Sequence, residues 1–103
     1  MRVLKPGLRL KSAVCTTEVM VIRAPSAQAQ LECGGVEMLA VTDAVPAGAK
    51  LDPARAQGSL IDKRYVDAAE ALELLCTKGG EGALSVDGAA LGIKQAKALP
   101  SSD

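Results

Sequence analysis

The chain has 103 residues, a length typical of one domain, and its 12 Lys and Arg balance its 12 Asp and Glu to give zero net charge. Hydrophobic residues make up 49% of the sequence, yet Tyr65 is the only aromatic residue and there is no His. The balanced charge argues against a nucleic-acid-binding protein, and the missing aromatics remove the surfaces on which bases stack. Without His, and with no Ser or Cys beside a visible base, the composition predicts a protein that is not an enzyme.

The sequence also predicts a cytoplasmic protein with no membrane-spanning segment. Its N-terminus lacks the apolar stretch of a signal peptide, and no run approaches the roughly 18 apolar residues that a membrane span requires. Its three cysteines are an odd number, which suits a reducing compartment better than a secreted disulfide framework.

The first part of the chain predicts four β-strands. A run of Val, Met, Val and Ile follows Glu18, which indicates a strand that is buried on both faces, or on one face and at an interface. Pro25 ends this second strand because proline has no N–H to donate, and a glycine pair separates the third strand from the fourth. The predicted strands cover residues 8–14, 18–24, 29–33 and 36–41. We interpret the stretch 15–38 as a β-hairpin that brings Cys15 and Cys33 close together.

The middle of the chain, residues 42–60, has the Pro, Gly and Ala content of an irregular linker. A short helical turn is expected at 53–56, with Asp52 as its N-cap and Pro53 in its first position. A strand is expected at 60–65. Residues 67–75 contain strong helix formers, but the repeat described below favours a loop at 67–70 and a strand at 71–77.

The last part of the chain predicts two more strands, at 83–86 and 89–93, joined by the hairpin dipeptide Asp87-Gly88. The glycine-rich segment 78–82 is interpreted as a turn, because it lacks the Gly-Lys-Ser/Thr order of a phosphate-binding loop. Residues 95–103 are expected to form a flexible tail. Four acidic residues are interpreted as a solvated face and not as an acid/base site: Asp62, Asp67, Glu70 and Glu73.

An offset of 53 positions relates the two halves of the chain. It pairs Val19 with Leu72, Val21 with Leu74, Leu31 with Leu84 and Gly35 with Gly88. Such repeats are typical of duplicated supersecondary units that bury one core between them. We therefore predict a mainly β fold, a small single domain in residues 1–94. Its two tandem β-units, about 8–41 and 61–94, would pack about a pseudo-two-fold and be joined by the linker 42–60.

Two motifs in the first unit carry a family resemblance. They are Cys15-Thr16-Thr17-Glu18-Val19-Met20-Val21 and Leu31-Glu32-Cys33-Gly34-Gly35-Val36-Glu37-Met38. They resemble desulforedoxin and the N-terminal domain of desulfoferrodoxin, in which two cysteine pairs hold one iron. The resemblance implies a small β-module in which Cys15 and Cys33 face each other. Ser12 and Gly34 stand where that family has its other two cysteines, so the four-thiolate iron site is not carried over.

Three interpretations of Cys15 and Cys33 stay open. They are small buried residues or relics of a lost site, or they form a disulfide or redox pair. In the third interpretation they belong to a partial iron or zinc site that Cys76 or a partner chain completes. Cys76 is otherwise an ordinary strand residue. No cofactor is expected unless this metal site exists.

The function that we predict is that of a small non-catalytic accessory subunit or adaptor. It would bind a larger cytoplasmic enzyme or its own copies through an exposed strand edge or apolar patch. The alternative is a rubredoxin-like metal-binding or electron-transfer protein that uses Cys15 and Cys33. A third option, an enzyme, would need a reactive cysteine. Nucleic acids and membranes are not expected as partners.

Overall fold

The computed structural model describes residues 2–94, whose regular secondary structure is almost wholly short β-strands, as predicted. The twelve strands of this part of the chain are β1 Arg2–Val3, β2 Arg9–Lys11, β3 Glu18–Arg23, β4 Gln28–Ala29, β5 Leu31–Cys33, β6 Val36–Glu37, β7 Leu39–Ala40, β8 Arg64–Val66, β9 Glu73–Lys78, β10 Leu84–Val86, β11 Ala89–Ala90 and β12 Gly92–Ile93. Within 2–94 no helix is long and apolar enough to cross a lipid bilayer. The tail predicted at 95–103 lies outside the described residues.

The described strands form three antiparallel sheets. The large sheet has the order β12-β8-β9-β3-β2-β7, a second sheet has the order β11-β10-β5-β6, and β1 pairs with β4 alone. Strands β3 and β9, with six residues each, form the centre of the large sheet. Their inward side chains, among them Val19, Val21 and Leu74, are at most 1% exposed. Because each such side chain contributes roughly 1.5–3 kcal/mol when fully buried, this aliphatic core supplies most of the folding energy.

Strands that lie 53 positions apart occupy corresponding places in the two larger sheets. β7 begins at residue 39 and β12 at residue 92, and they are the two edges of the large sheet. β6 and β11 are likewise the two edges of the second sheet. At the centre of the large sheet Val21 pairs with Leu74, and at the centre of the second sheet Glu32 pairs with Ser85. In both of these pairs the two residues are 53 positions apart. Two duplicated units that share a core would produce this order. The pseudo-two-fold axis and the unit boundaries 8–41 and 61–94 stay predictions.

The loop and strand predicted at 67–77 are confirmed. The chain turns after β8, and β9 starts at Glu73. Asp67 organises this turn, since its Oδ1 accepts the N–H of Leu72 at 3.2 Å and its carbonyl accepts the N–H of Glu70 at 3.0 Å. Glu70 adopts a φ of 55°, which a helix does not allow. Pairing of β9 with β3 and β8 therefore overrides the helix propensity of this segment.

Two of the predicted turns are also confirmed. A 3-10 helical turn covers Pro53–Arg55, and the Asp52 carboxylate caps it by accepting the N–H of Ala54 at 2.9 Å. Asp87-Gly88 connects β10 to β11 with φ values of 49° and 85°, the left-handed conformation that a two-residue hairpin turn of this kind requires. The glycine pair between β5 and β6 has φ values of 66° and 83°.

The hairpin predicted over 15–38 is wrong, because β3 and β5 lie in different sheets. After Pro25 the chain leaves the large sheet, forms β4 against β1, and enters the second sheet at β5. Five predicted strands are also too long or divided. Residues 13–16 bend after β2, residues 60–63 form a turn in which Asp62 has a φ of 69°, and the strands expected at 29–33, 36–41 and 89–93 divide at Gln30, Met38 and Leu91. Met38 is 1% exposed, and its N–H bonds to the carbonyl of Leu31, so the chain changes sheet there.

Candidate functional site

Two of the three cysteines meet between the two larger sheets. Cys15 lies in the loop that joins β2 to β3, and Cys33 is the last residue of β5. Their Sγ atoms are 3.8 Å apart, and both are free thiols. Cys15 is partly exposed, whereas Cys33 is fully buried. The expectation that these two residues face each other is confirmed, although two sheets and not one hairpin bring them together.

Ser12 is placed to donate a hydrogen bond to Cys15. Its Oγ accepts the N–H groups of Val14 and Cys15, each at 3.1 Å, and lies 3.3 Å from Cys15 Sγ. A hydroxyl has two acceptor lone pairs and one hydrogen. Because both lone pairs are occupied by N–H groups, the hydrogen is left to point at the sulfur. The loop conformation therefore fixes Ser12 as a donor toward a Cys15 thiolate.

Thr17 and Gly82 supply the other polar contacts of Cys15. Thr17 Oγ1 lies 3.3 Å from Cys15 Sγ, and the Gly82 N–H donates to the same sulfur over 3.4 Å. Thr17 is fully buried, so water does not compete for its hydroxyl. Together with Ser12, two hydroxyls and one backbone N–H therefore surround Cys15 Sγ. Such donors stabilise a thiolate, because hydrogen bonds to a charged acceptor are among the stronger ones in proteins.

The loop 79–82, which we call the glycine loop, packs its backbone directly on the two sulfurs. A Cβ on Gly80 would lie 3.0 Å from Cys15 Sγ, and a Cβ on Gly82 would lie 2.8 Å from Cys33 Sγ. Neither glycine has a positive φ. Glycine is therefore required at both positions by the close approach of backbone to sulfur, and not by the backbone conformation.

The glycine loop is held in place by its neighbours on both sides. Ser59 pairs with Gly80 through two backbone hydrogen bonds of 2.9 and 3.1 Å, and the buried Ser59 hydroxyl donates to the Gly82 carbonyl. The Thr16 hydroxyl donates to the carbonyl of Gly79 at 2.7 Å. Ser59 and Thr16 thus hold the glycine loop in place beside the two sulfurs.

The two cysteines of the pair have opposite acidities. Burial raises the pKa of Cys15, but hydrogen bonds from Ser12, Thr17 and Gly82 outweigh it and lower this pKa from 9.0 to about 7. Burial, followed by the charge of nearby Cys15, raises the pKa of Cys33 to about 11. At neutral pH about half of Cys15 is therefore a thiolate, beside a protonated thiol at Cys33 whose S–H donates toward it. This is the acidity pattern of an attacking thiolate and a resolving thiol.

The third cysteine does not join this pair. Cys76 is buried on β9, and its thiol donates to the carbonyl of Lys78 at 3.1 Å. Burial raises its pKa, as do the charges of Asp62 and Cys15. In residues 2–94 no group of three or more Cys, Asp and Glu side chains is arranged to hold a metal ion. The partial iron or zinc site of Cys15, Cys33 and Cys76 therefore gains no support from the geometry.

The four acidic residues suggested as a solvated face have different roles. Asp62 and Glu70 are exposed in turns, and Asp67 caps its own loop. Glu73 is only 2% exposed, so its assignment to a solvated face is wrong. Its carboxylate accepts hydrogen bonds from the charged side chains that cover it, Arg64 at 2.8 Å and Lys94 at 3.0 Å. These bonds hold the pKa of Glu73 below its usual value, which indicates an ion pair that fastens β8 and the end of β12 to β9.

Comparison with known proteins finds no match. No protein-family model, no curated protein and no solved structure matches the chain. The resemblance to desulforedoxin therefore stays a prediction, and the function has to be inferred from the site.

Proposed function

We propose that this chain is a redox protein in which Cys15 and Cys33 alternate between two thiols and an intramolecular disulfide. The observation that supports this proposal most directly is the 3.8 Å separation of the two Sγ atoms. A disulfide requires about 2.05 Å between the two sulfurs, so they have to approach each other by about 1.8 Å. Oxidation removes two electrons and two protons from the pair, and an external thiol reductant returns them.

The opposite acidities of the two cysteines support a fixed order of events. The partly exposed Cys15 is the thiolate and reacts first, because thiolates and not thiols are nucleophiles. Cys33 is buried and protonated, so it meets Cys15 and not an external reagent. Reduction by an external thiol would also start at Cys15, because this residue is partly exposed and Cys33 is fully buried.

Equilibration in redox buffers tests the proposal. The protein is incubated without oxygen in mixtures of reduced and oxidised dithiothreitol, denatured in an alkylating reagent, and weighed by intact mass spectrometry. We expect molecules alkylated three times under reducing conditions and once, at Cys76, under oxidising conditions. Cys15→Ser and Cys33→Ser should each abolish the intramolecular disulfide, while the control Cys76→Ala should retain it. Full alkylation of all three cysteines at every buffer ratio would contradict the proposal.

We also propose a second role, as an accessory subunit or adaptor that binds a larger enzyme or its own copies. Its support is a pair of adjacent apolar side chains, Leu60 and Ile61, which are 55% and 56% exposed. They lie on the turn next to the glycine loop, since a Cβ on Gly79 would lie 3.3 Å from the Ile61 backbone nitrogen. A partner that covered this pair would therefore also lie close to the cysteine site.

Surface substitutions test the second role. Leu60→Ser combined with Ile61→Ser is expected to abolish self-association in sedimentation velocity, or to abolish the retention of one defined protein from the native lysate. The matched control is Val45→Ser, because Val45 is 52% exposed on the linker. The accessory role is wrong if the native protein sediments as a monomer and if the native protein and the double variant retain the same proteins from the lysate.

A further inference from the structure

We propose that the oxidant of the cysteine pair is a small hydroperoxide and that access to the site selects it over bulky disulfides. This inference deepens the proposed redox function and rests on it. It concerns the first step, the attack of Cys15 on the oxidant, and depends on what the structure allows to approach the sulfur.

Backbone atoms cover the sulfurs closely on the side of the glycine loop. The Gly82 nitrogen is 3.4 Å from Cys15 Sγ, and a Cβ added to Gly80 would lie only 3.0 Å from the same sulfur. Cys33 is fully buried beneath the loop. A disulfide can be attacked only if one of its sulfurs, with its substituent, reaches the thiolate, so the rate depends strongly on access. A hydroperoxide brings a single oxygen atom to the sulfur and needs far less room.

The polar contacts of Cys15 also suit a peroxide. The hydroxyls of Ser12 and Thr17 are buried, and each lies 3.3 Å from Sγ. Ser12 is fixed as a donor because its lone pairs are occupied by two N–H groups. When the thiolate attacks, negative charge moves from the sulfur to the departing oxygen beside it. Donors that already surround the sulfur are close enough to stabilise this charge, as preorganised hydrogen-bond donors do in other reactions.

The chemistry balances in two steps. The Cys15 thiolate attacks the terminal oxygen of the hydroperoxide, an S–O bond forms and the O–O bond breaks. The leaving alkoxide or hydroxide takes a proton from solvent, which leaves an alcohol or water and a sulfenic acid at Cys15. Cys33 then loses its proton and its sulfur attacks Cys15, so that the S–O bond breaks and hydroxide leaves as water. The products are one disulfide, oxidised by two electrons, and one reduced peroxide.

A competition between two oxidants tests the inference. The protein carries Cys76→Ala so that only the pair can react, and disulfide formation is timed with hydrogen peroxide and, separately, with the neutral 2-hydroxyethyl disulfide. The same protein unfolded in denaturant gives the intrinsic preference of its thiols. We expect the ratio of the peroxide rate to the disulfide rate to be at least tenfold higher in the folded protein. In a Cys33→Ser variant, peroxide should leave a sulfenic acid at Cys15 that a 1,3-diketone probe labels, and Cys15→Ser should not be labelled.

The outcomes separate this inference from the function on which it rests. If both oxidants form the Cys15–Cys33 disulfide and folding does not change their rate ratio, the peroxide preference is wrong and the redox function stands. If the probe labels Cys33 in preference to Cys15, the assigned order of attack is overturned. If neither oxidant forms the intramolecular disulfide, the redox function and the inference both fail.

Discussion

Replacing Thr17 with valine is expected to raise the pKa of the Cys15 thiol by about one to two units. Valine preserves the shape of the fully buried side chain and removes the hydroxyl that lies 3.3 Å from Cys15 Sγ. A hydrogen bond to a charged group contributes about 1.5–3 kcal/mol, and one pKa unit corresponds to about 1.36 kcal/mol. Because the lost bond stabilises the thiolate more than the thiol, the pKa moves upward from its native value of about 7.

The change is measured as the pH dependence of Cys15 alkylation, followed by peptide mass spectrometry. The native protein should reach half its maximal rate near pH 7, where half of Cys15 is thiolate. At that pH the Thr17→Val variant should react about twofold to sixfold more slowly, since the smaller thiolate fraction is partly offset by the greater nucleophilicity of a more basic thiolate.

The adjacent threonine is the matched control for this experiment. Thr16 is exposed, and its hydroxyl donates to the Gly79 carbonyl and not to a sulfur, so Thr16→Val should change the pKa of Cys15 far less than Thr17→Val does. Ser12→Ala should also raise the pKa of Cys15, but it removes the acceptor of two loop N–H groups as well. Coinciding profiles of Thr17→Val and the native protein would show that the hydroxyl does not determine the acidity of Cys15.

Replacing Gly82 with alanine is expected to lower the free energy of unfolding by about 1–3 kcal/mol, the usual cost of overpacking. The new Cβ would lie 2.8 Å from Cys33 Sγ and 2.8 Å from the backbone nitrogen of Gly34, and real Cβ atoms do not approach so closely. The Cys33 side chain can rotate away from the new Cβ, but the Gly34 backbone cannot shift without disturbing β5. In a domain of this size each kcal/mol corresponds to about 4–8 °C in the thermal midpoint.

The control for this substitution is Gly92→Ala on β12. Like Gly82, Gly92 has no positive φ, but a Cβ there meets no atom within 4 Å. Its unfolding free energy should stay within about 0.5 kcal/mol of the native value, as surface substitutions usually do. Chemical unfolding followed by circular dichroism measures both variants. Equal stabilities would mean that the glycine loop does not press on the cysteine pair.

Much of the fold was predictable because local signals and the repeat agreed. Asp52 and Pro53 marked a helix cap through a side-chain acceptor and a fixed φ, and Asp87-Gly88 marked a tight hairpin through two positive φ values. The strand at β9 was predictable only from the 53-residue offset, against its own helix propensity. Sheet membership was not predictable, since an apolar run such as β3 indicates burial but does not identify the strands that cover it.

The candidate site was predicted in part. The meeting of Cys15 and Cys33 followed from a resemblance, and Ser12 was noted only as a replaced cysteine. Thr17 and the glycine loop were missed, because no local pattern distinguishes a threonine that bonds to sulfur from one that faces solvent. The glycines at 80 and 82 offered a signal, since three glycines in four residues exceed what one turn needs. That excess indicates close approach by another part of the chain.

The pairing of Val21 with Leu74 and of Leu31 with Val86 has a consequence for how quickly the chain folds. The central strand pairs of the large sheet and of the second sheet form only when segments more than 50 residues apart meet. Closing those long loops costs conformational entropy before any central contact compensates for it. Such non-local topology is typical of slow folders. Until closure, β3 and β5 each have one unpaired edge, so newly made chains are most exposed to association with one another during that interval.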